Sequence, residues 1–75
     1  MPLWTLHSSN LKGIDYLDEG GLLFVHFLKG QVWEYSGVPR SVYLAFRDAP
    51  SAGKFYAAEI KGKYTGRLVD PAPAP

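Results

Sequence analysis

Two runs dense in β-branched and aromatic residues, 22–28 and 31–35, flank a single Lys29-Gly30 step, and this pattern constrains the chain more than any other. Such residues favour strands, and a short Gly-containing break between them reads as a hairpin. A two-residue turn at Lys29-Gly30 is the expected connection, since Gly suits the positive φ that such turns require. Phe27 then opposes Val32, His26 opposes Trp33, and Phe24 opposes Tyr35. One face carries Leu23, Val25, Phe27 and Val32, with Glu34 at its margin; the other carries Leu22, Phe24, His26, Trp33 and Tyr35. A one-residue slip, with a loop from Lys29 to Gln31, would pair Phe27 with Trp33 and Val25 with Tyr35. That slip moves Trp33 and Tyr35 to the aliphatic face and sets His26 beside Glu34, because side chains alternate with a period of two. In either register the second face keeps large apolar side chains. A meander that shows one side to water makes that side polar, so this face is expected to meet something: a second copy, the terminal strands, or a stacked ligand.

The chain has 75 residues, enough for one domain near the lower limit of an unassisted core. Without cysteine, neither disulfides nor thiolate metal sites can staple it. Packing must hold it together, and two Trp, five Tyr and four Phe supply the apolar area. The net charge of +1 is too small to argue for nucleic acid by itself. Its distribution says more: Asp15, Asp18 and Glu19 lie early, whereas Lys54, Lys61, Lys63 and Arg67 lie late, beside one acid, Glu59. The longest charge-free apolar run, residues 20–28, is far too short to span a bilayer, and no secretory pattern precedes it. A cytoplasmic protein without a membrane partner is expected.

Residues 3–7 alternate weakly and suit an edge strand. Ser8-Ser9-Asn10 reads as a turn, 11–16 as the first full strand, and Asp18-Glu19-Gly20-Gly21 as a reversal. Pro39 suits the first helical position, and Val42, Tyr43, Phe46 and Ala49 recur at helical spacing until Pro50 stops them. Ser51 can cap a second helix that runs to about Lys61, although Lys54 at the third position gives no capping box. Tyr64 to Val69 can add a strand. The expected fold is α+β: a three- to five-stranded antiparallel meander with two short helices packed on one face. One domain covers residues 3–69, and 70–75, Pro/Ala-rich, is expected to be an extended, disordered tail.

The runs SSNLKGIDY, LLFVHFLKGQVWEYSGVPRSVY and APSAGKFYAAEIKGKY, in this order, resemble the KTSC domain. The likeness covers roughly Thr5 to Tyr64. The family's aromatic-x-aromatic signature, usually Tyr-x-Tyr, appears as Trp33-Glu34-Tyr35; Gly37-Val38-Pro39, Val42-Tyr43, Ser51, Gly53, Ile60 and Tyr64 agree as well. The family occurs as small stand-alone proteins of bacteria and their viruses and at the C-terminus of some lysyl-tRNA synthetases, an association that implies RNA binding. One departure matters. Where the family often follows an aromatic pair with Asn and basic residues, this chain follows Phe55-Tyr56 with Ala57-Ala58-Glu59. Phosphate attraction from that segment is correspondingly lower.

Nothing in the residues points to catalysis. His7 beside Ser8-Ser9 lacks the third group that orients a base toward a nucleophile, and no P-loop, dinucleotide fingerprint or zinc spacing occurs. Asp15, Asp18 and Glu19 could gather at a turn around a cation, but such turns are ordinarily just hydrated. No cofactor is expected. Two readings stand. The first is a non-catalytic module recognising RNA or a nucleotide, with Phe24, His26, Trp33 and Tyr35 as the platform. Lys54, Lys61, Lys63 and Arg67 would then meet phosphate, and a homo-oligomer could hold a small nucleotide between subunits. The second is an assembly module that buries the aromatic face against itself or a partner.

Overall fold

A computed structural model describes residues 3–6 and 8–70. His7 and residues 71–75 of the expected tail lie outside the described residues, so the readings placed on them are left there, whereas Asp70, expected to begin that tail, ends a strand. Five strands form one antiparallel sheet in simple chain order: β1 (Trp4–Thr5), β2 (Leu11–Leu17), β3 (Leu22–Phe27), β4 (Val32–Tyr35) and β5 (Gly66–Asp70). Between β4 and β5 the chain leaves the sheet to form α1 (Arg40–Asp48) and α2 (Ala52–Phe55); the latter continues directly into a π-helical turn, Tyr56–Ile60. The architecture is the expected α+β meander with its helical layer on one face.

Local chemistry accounts for the boundaries. Pro39 is extended at the start of α1 and its carbonyl accepts from Val42 and Tyr43. Ala49, preceding Pro50, is extended too, as the steric clash with a following proline ring demands. The Ser51 hydroxyl accepts a bond from the Lys54 N–H at 3.4 Å and caps α2. The Ser8 hydroxyl does the same for Asn10 and Leu11 before β2, so it serves a turn.

The second helix differs from its expected form. A regular helix to Lys61 is replaced by one α turn and then one wider turn, closed by the Lys61 N–H donating to the Tyr56 carbonyl at 2.9 Å. The added residue in that turn lets Ile60 reach the core, where it is fully buried, while Tyr56 stays at the sheet. The sequence Tyr-Ala-Ala-Glu-Ile reads as ordinary helix, so only tertiary packing selects this turn.

The hairpin register also differs. Val25 pairs with Trp33, Phe24 with Glu34, and Leu23 with Tyr35, so the expected two-residue turn is replaced by a three-residue loop of Leu28, Lys29 and Gly30. The loop is closed by Phe27 and Gln31 across one backbone bond of 2.8 Å, and Gly30 takes φ of 100°, which an L side chain resists. The shift reverses β4. Trp33 and Tyr35 join Leu23, Val25 and Phe27 on the helix side, while Val32 and Glu34 turn to the open side. The gain is burial of aromatic area: Tyr35 is only 4% exposed and Trp33 packs against the core.

That core lies between the sheet and α1, α2 and the π turn. Ile14, Leu23, Val25, Phe46 and Ile60 are completely buried. Tyr16 stacks on Tyr43 at 5.1 Å and gives its hydroxyl to the Val38 carbonyl at 2.6 Å, binding β2 to the segment that enters α1.

Candidate functional site

Past the end of the helical layer, the β3–β4–β5 part of the sheet meets the π turn and forms two adjoining clefts. The first, about 410 Å³, is walled by Phe27, Trp33, Tyr35, Tyr56 and Tyr64, with Lys61 at its rim. The second, about 440 Å³, runs from Phe27, Tyr56 and Lys61 toward Asn10, Lys29 and Gln31. Both lie in the size range of small-ligand pockets. Phe27, Tyr56 and Lys61 line both, so the clefts adjoin at those residues; the pair is termed the groove, and the shared wall its elbow.

Tyr56 organises the elbow. Its ring meets Phe27 edge-on at 5.6 Å and Tyr35 edge-on at 6.0 Å, and it tilts against Phe46 at 6.5 Å. Its hydroxyl and that of Tyr35 form a hydrogen bond of 2.5 Å. Gly66 makes room for this: a Cβ there would stand 2.7 Å from the Cδ1 of Tyr35. Burial pushes the Tyr35 hydroxyl well above its ordinary pKa, and the bond to Tyr56 raises it further. Tyr35 therefore stays protonated at neutral pH, able to hold a bond but not to act as a base. The groove offers ring faces and two lysines, Lys29 and Lys61; among the described residues no Asp or Glu lines either cleft.

The opposite side of the sheet has a different chemistry. Asp15, Phe24, Glu34 and Arg67 stand in one row across β2 to β5. His26 is hydrogen-bonded to Asp15 at 3.0 Å and the Arg67 guanidinium donates to Glu34 at 2.8 Å, so Phe24 sits between two paired polar corners. Leu17, 49% exposed, and the half-buried Leu22 extend the apolar part of this open face.

Two residues of the predicted platform, Trp33 and Tyr35, thus come together in the groove with one predicted phosphate partner, Lys61. Phe24, His26 and Arg67 do not join them, because the register places them on the open face. Lys54 and Lys63 are exposed and line neither cleft. Phe27, Tyr56, Tyr64, Lys29, Asn10 and Gln31 were missing from the predicted set. Tyr56 had a signal in the Phe55-Tyr56 pair, but regular helical phase could not bring it to the sheet edge. The early acids do not gather: Asp15 engages His26, Asp18 approaches Arg40 at 3.7 Å, and no cluster of three or more metal-ligating side chains occurs among the described residues.

The KTSC domain family model matches residues 7–64 of this sequence. The chain belongs to the KTSC family. A crystal structure of a KTSC domain protein from Yersinia pestis is similar at 30% identity over 91% of this chain and 96% of that one, with a TM-score of 0.84. No curated protein matches the chain. The KTSC match contains every named groove residue except Gly66 and leaves β5 outside it. Within the KTSC signature Trp33-Glu34-Tyr35, strand alternation has a clear result: both aromatic rings face the groove, and Glu34 faces Arg67 on the other side. No helix among the described residues is long and apolar enough to cross a membrane.

Proposed function

We propose that this KTSC domain is a non-catalytic binding module that takes a base-bearing, anionic ligand, single-stranded RNA or a nucleotide, in the groove beside the π turn. The observation that carries this reading is the separation of charge. The aromatic groove has lysines and no acid among its described lining, whereas Asp15 and Glu34 are held on the far face by His26 and Arg67. A base stacks on an accessible aromatic ring face for about 1–3 kcal/mol, and Lys61 at the elbow would meet phosphate. The test is binding of a short single-stranded RNA at several salt concentrations. Lys61→Ala is expected to weaken binding and reduce the slope of log K against log salt by about one charge contact, whereas Arg67→Ala leaves both unchanged. Equal effects of the two variants, or no binding at low salt, would contradict the reading.

The open face favours a second reading. Leu17, Leu22 and Phe24 form an apolar strip that the protein's own helices do not cover, which supports assembly of two copies through this side. Light scattering is expected to give a dimer that Phe24→Asp converts to a folded monomer; a monomeric parent protein rejects it.

A further inference from the structure

The two clefts differ in the chemistry of their walls, and that difference goes beyond simple capture of a base. The aromatic cleft is all ring surface and glycine apart from Lys61. The other cleft carries Ser9, Asn10 and Gln31 alongside Lys29. A side-chain amide presents a donor and an acceptor next to each other, which matches a base edge, whereas an aromatic ring accepts the flat face of any base. We infer that the groove holds two consecutive nucleotides of a single strand. The first base stacks in the Trp33–Tyr64 cleft, the linking phosphate lies at Lys61, and the second base is read by Asn10 and Gln31 near Lys29.

This rests on the nucleotide reading given above and deepens it. Lys61 borders both clefts, so one ammonium serves a phosphate that joins their occupants. The amides sit on well-held backbone: the Asn10 carbonyl accepts from Leu28 at 2.9 Å and the Gln31 carbonyl from Phe27 at 2.8 Å. Selectivity for base identity is therefore assigned to the second position and tolerance to the first.

Calorimetric titration of the full chain with adenosine monophosphate, the dinucleotide ApA and the trinucleotide ApApA tests it. The dinucleotide is expected to bind at least about tenfold tighter than the monophosphate, with no comparable step to the trinucleotide. The Asn10→Ala, Gln31→Ala double variant is expected to erase that step, whereas Trp33→Ala weakens all three ligands. Equal affinity for one and two nucleotides, or a length step that survives the double variant, overturns the two-position assignment and leaves the nucleotide reading intact. Failure of all three ligands to bind overturns both.

Discussion

The hydroxyls of Tyr35 and Tyr56 meet at 2.5 Å, so a buried strand residue is tied directly to the first residue of the π turn. Removing either hydroxyl leaves its partner without that bond at the groove wall. Tyr35→Phe and Tyr56→Phe are each expected to lower stability by about 0.5–1.5 kcal/mol in urea titrations. The double variant is expected to cost less than the two added together. Strict additivity would mean that the two hydroxyls do not depend on one another.

Alkaline pH acts on the same core. Tyr16, Tyr35 and Tyr43 all have pKa values raised from 10.0, with burial the first cause in each; the Asp18 carboxylate adds to the shift at Tyr16. Below pH 10 the folded and unfolded chains both keep these protons, and the tyrosines impose no pH dependence. Above it the unfolded chain releases protons that the folded chain retains, so stability falls. The limit is about 1.4 kcal/mol per pH unit for each tyrosine, and the fall continues until its folded pKa is passed. Urea midpoints measured from pH 8 to 11.5 are expected to stay level and then drop. The slope above pH 10 should be shallower in Tyr35→Phe; identical slopes would contradict the assignment.

Two glycines are expected to respond in opposite directions to alanine. A Cβ at Gly66 would press into the Tyr35 ring, 2.7 Å from Cδ1 and 3.0 Å from Cζ. Gly66→Ala should cost about 1–3 kcal/mol and disturb the aromatic cleft. Gly53 lies within α2, and a Cβ there meets only the Ser8 hydroxyl at 3.9 Å. Gly53→Ala should raise stability by about 0.5–1 kcal/mol through helix propensity. Thermal melts of the two variants decide it, and a loss in both would place a hidden constraint at Gly53.

Much of the architecture was legible because local rules and packing agree. Pro39, Pro50 and Ser51 mark the helical boundaries by fixed φ, a steric clash and a side-chain cap, none of which depends on distant residues. The hairpin register was not legible. Lys29-Gly30 is compatible with more than one loop, and alternation survives a shift of one residue while every β4 side chain changes sides. Burial of Tyr35 against Tyr56 decides between them, and that contact spans 21 positions of sequence. The same shift explains the divided site. Aromatic and basic residues could be picked out by type, but only the register tells that Trp33 and Phe24 occupy opposite faces.

The most direct test of the groove is a map of backbone amide shifts during titration with a single-stranded RNA. The account predicts perturbations concentrated at residues 27–33 and 56–66, with Asn10 among them and little change at Asp15, Phe24 and His26. Shifts centred instead on 13–17 and 22–26, across the open face, would contradict it.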